Sequence, residues 1–159
     1  MSVAESETMS ELHLMALDEA DLQIISACCQ DAVMKRGDVR FEEAAGRFIL
    51  VMNRYAWEAA AKRRGLSLLR RPVKERRRSV LHFDRVTKVR QQNVSMDMAD
   101  EVLSLLAIRF HVDEAPSGVV ELVFAGNATI RLHVECIEAQ LADLGAAWST
   151  ELQPDHERG

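Results

Sequence analysis

The clearest hydrophobic pattern in the chain runs through residues 118–145, GVVELVFAGNATIRLHVECIEAQLADLG. Val120, Leu122 and Phe124 recur at every second position, and Ile130, Leu132 and Val134 do the same, with the polar Arg131, His133 and Glu135 in the alternate places. Successive side chains of an extended chain point to opposite faces, so this period marks strands buried on one side. Between them, Ala125-Gly126-Asn127-Ala128 contains two residues that accept positive φ, and the segment is predicted as an antiparallel hairpin. The period then changes. Ile137, Leu141 and Leu144 recur at i, i+4 and i+7, which predicts a short amphipathic helix stopped by Gly145.

The remaining chain reads in the same terms. Leu12, Leu14 and Ala16 alternate as a short strand. A carboxylate N-cap at Asp18 or Asp21 opens a helix over residues 18–33 whose stripe is Leu22, Ile25, Cys29 and Ala32. Val39-Arg40-Phe41 ends a strand, Ala44-Ala45-Gly46 turns, and residues 47–57 (RFILVMNRYAW) make a central strand. Residues 79–90 (SVLHFDRVTKVR) alternate with mixed faces, which predicts one strand with a bulge near Asp84. Residues 101–112 fit helix or strand. Strand is preferred because the loop-like residues 113–118 follow. Short connections favour antiparallel pairing. The expected fold class is α+β: a curled antiparallel sheet of six or seven strands with an N-terminal and a C-terminal helix. One form of it is a pleckstrin-homology-like roll closed by the terminal helix, a fold analogy that warrants no function.

Length sharpens this expectation. A chain of 159 residues makes one domain the default, here residues 11–148 with tails at 1–10 and 149–159. No run of apolar residues reaches the roughly 18 that a membrane span needs. The acidic start MSVAESETMSELH lacks the features of a signal peptide, and an odd count of three cysteines points to reduced thiols, so a cytoplasmic location is expected.

Charge is the one property that stands above background. Residues 62–90 hold twelve basic side chains against Glu75 and Asp84, about +10, which leaves about −15 for the rest of a chain whose net charge is −5. The candidate anion-binding residues are Arg70, Arg71, Arg76, Arg77, Arg78, Arg85 and Lys88, with residues 62–78 expected as a basic linker or loop. Pairing of such a segment within the fold or across a dimer is the preferred reading over nucleic-acid binding, because charge alone is a permissive signal. Phe83 is the sole aromatic among these residues, so base stacking of the RNA-recognition type is not expected.

Catalytic chemistry finds less support. His133-Val134-Glu135-Cys136 places a histidine and a carboxylate on one strand face, but lacks the second cysteine motif of the zinc deaminases, and a solvent-facing strand edge explains it. His82 and Asp84 are a further possible pair. There is no Gly-x-Ser-x-Gly elbow and no phosphate-cradling glycine motif. No metal site and no cofactor are expected.

Residues 17–33 (LDEADLQIISACCQDAV), 47–57, 77–89 (RRSVLHFDRVTKV), 103–110 and 118–145 together resemble a bacterial family labelled domain of unknown function 2948. The resemblance implies one domain over most of the chain and brings no activity, cofactor or catalytic residue with it. The functional expectation is therefore a small non-enzymatic interaction domain that binds a protein partner or itself. The alternative is an accessory protein that binds an anion or nucleic acid through the basic segment. An enzyme built on His82, Asp84, His133 and Glu135 ranks third.

Overall fold

The computed structural model describes residues 12–55, 76–95 and 97–144. Arg70, Arg71, the 62–75 part of the basic segment and both expected tails fall outside them. Among the described residues there are ten strands and one α-helix. The strands are β1 (His13–Ala16), β2 (Ala32–Lys35), β3 (Val39–Glu42), β4 (Arg47–Tyr55), β5 (Arg76–Phe83), β6 (Val86–Gln92), β7 (Val102–Val112), β8 (Gly118–Phe124), β9 (Ala128–Val134) and β10 (Ala139–Asp143). The helix α1 is Glu19–Cys28. All strand pairs are antiparallel, in the order β1-β10-β5-β4-β2-β7-β8-β9-β6, and β3 pairs with β4 as well.

This is the expected mixture of helix and antiparallel sheet, with four corrections. The C-terminal helix is strand β10, paired with β5 on one side and β1 on the other. Its buried residues Ile137, Ala139 and Leu141 follow period two, and the four-residue step from Ile137 to Leu141 fits both periods, so the pattern alone misled. The sheet has ten strands instead of six or seven, and with no C-terminal helix among the described residues the roll closed by such a helix is not formed. The expected strand at residues 79–90 is two strands with different neighbours. Arg85 takes φ 63°, β5 stays with β4 and β10, and β6 turns away to pair with β9. The first helix also stops earlier than expected. It ends at Cys28 with Cys29 as its C-cap, and after a turn in which Asp31 takes φ 67° Ala32 enters β2.

The core lies on one face of the sheet, the inward one, with Phe48, Leu50, Leu81, Phe83, Ile108, Leu122, Phe124, Ile130, Leu132 and Leu141 all buried. The hairpin parity was legible: Val120, Leu122, Phe124, Ile130, Leu132 and Val134 are all in this core.

Helix α1 covers an exposed sheet edge. Asp18 caps it, its carboxylate accepting from Asp21 N–H at 2.8 Å. Leu22 and Ile25 enter the core, and the helix packs on both β1 and β7. Strand β2 reaches only as far along β7 as Leu105, so among the described residues no strand lies beside the next stretch of β7 on that side. The helix supplies the missing partners. Ile108 N–H donates to Ser26 Oγ at 2.9 Å, and Gln23 Nε2 donates to Ile108 O at 3.3 Å. An unpaired edge invites association, and covering it with a helix is one of the ways proteins prevent that. Ser26→Ala leaves a buried N–H without its acceptor and is expected to cost about 1–3 kcal/mol in urea unfolding, with the far-ultraviolet spectrum unchanged.

The inward face also carries one ion pair. Arg54 on β4 continues the parity of Phe48, Leu50 and Met52, and it is fully buried. Its guanidinium grips Asp143 of β10 in a bidentate pair, Nε to Oδ1 at 3.0 Å and Nη2 to Oδ2 at 2.8 Å. Ser79 Oγ of β5 donates to Oδ1 at 2.6 Å, and Leu12 N–H donates to Oδ2 at 2.9 Å. Four successive segments are thus tied through one carboxylate. Burial would raise the Asp143 carboxyl, but the Arg54 guanidinium, the Ser79 hydroxyl and the Leu12 N–H outweigh it and hold the group below the ordinary aspartate value.

Candidate functional site

The described part of the basic segment, residues 76–90, does not form one surface. Arg76 and Arg78 lie on the outward face of β5, where Arg76 sits 4.9 Å over the Tyr55 ring and Arg78 donates to Asn53 Oδ1 at 3.4 Å. Arg77 has the opposite parity. Arg85 stands at the bend, 3.6 Å from Glu135 and 3.4 Å from Glu138. The Glu138 carboxylate holds its guanidinium more firmly protonated than usual. Lys88 lies beyond the bend on β6.

That bend frames a groove of about 720 Å³ lined by Glu43, Gly46, Arg47, Asp84, Arg85, Glu135 and Glu138 among others. Arg47 Nε donates to Asp84 Oδ1 at 2.7 Å, and this pairing raises the Arg47 guanidinium in turn. His82 Nδ1 lies 3.4 Å from Asp84 Oδ2 but has no hydrogen-bond partner. Asp84 and Glu135 therefore share the groove with two arginines that are already paired, and His82 flanks it. His133 stands elsewhere, on the outward face of β9 between Val119 and Lys88.

A different cationic face is assembled by the sheet itself. In β6, β9, β8 and β7 the inward positions are taken by the core, so the alternate side chains form rows across four strands on the outside. One row is Arg109, Glu121, Arg131 and Arg90, and the next is His111, Val119, His133 and Lys88. Neighbouring strands lie about 4.8 Å apart and successive outward residues about 6.8 Å apart, so the two rows cover a patch roughly 14 Å wide. Lys88, Arg90, Arg109 and Arg131 are all exposed.

Glu121 is the one carboxylate within these rows, and it is nearly buried beneath them. Its Oε1 lies 2.9 Å from His111 Nε2 and its Oε2 accepts from Arg131 Nη2 at 3.1 Å. The hydrogen bond from His111, helped by Arg131 and opposed by burial, keeps the Glu121 carboxyl below its ordinary value, so it remains ionised. Among the described residues, Lys88, Arg90 and Arg109 have no ion-pair partner. With four cations against one carboxylate the patch carries a formal +3, while the chain as a whole is acidic. Acid returns beyond the outer row, at Asp113 and Glu114 after β7 and at Glu135 after β9.

Of the proposed anion-binding residues that the structure describes, Arg76, Arg77, Arg78, Arg85 and Lys88, only Lys88 belongs to this patch. Arg109 and Arg131 escaped notice because they are isolated cations in sequence, 22 positions apart, and only strand register makes them neighbours. The available signal was the alternation of Arg131 and His133 with apolar residues, which already marked both as outward.

The architecture defines a mixed α+β protein in which antiparallel sheet dominates, with a cationic outward face at one end of the ladder. The family model described as Protein of unknown function (DUF2948) matches residues 12–156, and the chain belongs to that family. Neither a curated protein nor a solved structure matches it. Among the described residues no helix is long and apolar enough to cross a membrane.

Proposed function

We propose that the protein is a binding domain that engages the phosphates of nucleic acid through the outward face of β7, β8, β9 and β6. The observation that supports this reading is the pair of cationic rows, in which Lys88, Arg90 and Arg109 are exposed and have no ion-pair partner among the described residues. Cations that a fold leaves unpaired and side by side, on an otherwise acidic protein, attract a polyanion and discourage contact between copies of the chain. Among the described residues strand β6 is an end of the ladder, and antiparallel pairing of two copies about Val89 would set Lys88 against Arg90 of the second copy. Like charges directly opposite are unfavourable, so this edge resists self-pairing.

Fluorescence anisotropy of a labelled single-stranded RNA, titrated between about 50 and 200 mM salt, tests the reading. Three or four phosphate contacts give a slope of log K against log salt of about −2 to −3. Arg90→Ala is expected to flatten that slope by about 0.7, one phosphate on a single strand. An affinity that ignores salt, or none at 50 mM, rules the proposal out.

A second reading, a protein partner, draws on the opposite end of the ladder. Met15 and Leu17 on and after β1 and Ile24 on α1 are each more than half exposed. Sedimentation across a range of concentrations checks it: self-association that Leu17→Asp abolishes would support it, and a monomer throughout would remove the homodimer.

A further inference from the structure

The pocket beside the cationic rows extends the reading above, on which this inference rests. The next outward row along the same four strands is Ala107, Val123, Thr129 and Gln92, and all four are close to neutral. Here the register shifts between Leu105 and Ala107, and the bulge leaves Leu106 43% exposed on an otherwise polar rim. Together with the β8–β9 turn, part of this row borders an open depression of about 570 Å³, lined by Gln92, Asn93, Leu106, Val123, Asn127 and Thr129. Its size falls in the range of about 300–1,000 Å³ usual for small-ligand sites. Asn93 Nδ2 donates to the Asn127 carbonyl at 2.9 Å, which fixes one wall and turns the Asn93 side-chain oxygen toward acceptor duty. Asparagine and glutamine amides match the paired donor and acceptor of a base edge, and Leu106 with Val123 offers aliphatic surface to its plane.

We propose that this pocket receives the base of a nucleotide whose phosphate rests on the row of Arg109, Arg131 and Arg90. The two rows are separated by one step of the pleat, about 6.8 Å, which is the reach from a nucleotide's phosphate to its base. The base must be unpaired to enter, so the ligand is a nucleotide unit, either free or within a single strand, and not a duplex. The distribution of charge points the same way. Acid closes the far side of the cationic patch, whereas the pocket side is neutral, so a phosphate on the arginine row is directed toward the pocket.

The test compares four probes on the whole protein at one salt concentration: a single-stranded octanucleotide, an abasic octamer with the same phosphates, a duplex of the same sequence, and adenosine monophosphate. The base-bearing strand is expected to bind at least about tenfold more tightly than the abasic one. Gln92→Ala/Thr129→Ala is expected to erase that preference and leave the salt slope as it was. Saturable binding of the mononucleotide, lost in the same variant, would assign the pocket to free nucleotides; binding of the octanucleotide alone would assign it to a strand. Equal affinity for base-bearing and abasic octamers, or a preference that survives the double substitution, would overturn the pocket while leaving the cationic face intact. Failure of every probe to bind at low salt would overturn the face and the pocket together.

Discussion

Arg54→Met is expected to destabilise the protein by about 3–5 kcal/mol, the largest single effect of any residue outside the apolar core. Removing the guanidinium leaves Asp143, whose side chain is fully buried, facing Ser79 and the Leu12 N–H with no counter-charge. An uncompensated buried carboxylate must either pull water into the sheet or take up a proton, and both are costly. Thermal unfolding followed by circular dichroism checks the size. At this chain length each kcal/mol shifts Tm by a few degrees, so a fall on the order of 10 °C is expected. The double variant Arg54→Met/Asp143→Leu is expected to recover most of that loss, because a buried ion pair gives little net stability over apolar residues of similar volume. A double variant as unstable as the single one would show that the ion pair itself, and not the orphaned charge, holds β4, β5, β10 and β1 together.

The same carboxylate sets an acid limit. The folded Asp143 pKa lies below its unfolded value, so on acidification the unfolded chain takes up the proton first. The stability this group contributes is complete well above the unfolded aspartate value of about 3.9, and it is lost as pH falls through that value and on through the folded one. Glu121, also lowered, acts in the same direction. Compared with the parent protein, the double variant Arg54→Met/Asp143→Leu is therefore expected to show a flatter acid side of the stability profile. A profile of unchanged slope below pH 4 would place the acid sensitivity elsewhere.

How far the sequence reveals this fold depends on whether local pattern and tertiary setting agree. In β8 and β9 they agree over every core position, and the Gly126-Asn127 turn takes the positive φ values its residues suggest. In β10 they conflict, because Asp143 points inward and only Arg54, nearly ninety residues earlier, makes that tolerable. A charge at an inward position hides a strand from any rule that sorts polar from apolar. Strand β2 is hidden differently. Ala32 continues the apolar stripe of α1 and is buried as that stripe requires, but the chain has already left the helix after Cys28, with no glycine or proline to announce it. At Arg85 the bend resets the parity between Phe83 and Val86, and the mixed faces of residues 79–90 were the trace of two strands read as one. The cationic face follows the same logic. Lys88 was visible as part of a basic run, whereas Arg109 and Arg131 become its neighbours only through the registers of β7, β8 and β9.

Lys88→Glu/Arg90→Glu is expected to weaken single-stranded RNA binding on the order of 100-fold at physiological salt. Each of the two substitutions replaces a phosphate attraction with a repulsion. A surface charge contact is worth roughly 0.5–1 kcal/mol, so the four changes together amount to about 3 kcal/mol, or two decades of affinity. A further loss adds to this, because a carboxylate at position 90 would lie directly across from Arg131 and draw it away from the ligand. That contact also protects the fold. Both positions are exposed on an end strand, opposite charges across a strand pair are favourable, and Tm is expected to stay within a few degrees of the parent. Arg76→Glu/Arg78→Glu changes the net charge by the same amount at a part of the sheet the ligand is not proposed to touch. With a screening length of about 8 Å at 0.15 M, it is expected to change the affinity less than about threefold. Equal losses from the two pairs would mean that binding answers to the overall charge of the protein and not to the rows on β6 and its neighbours; a loss confined to the Arg76/Arg78 pair would move the site to the outward face of β5.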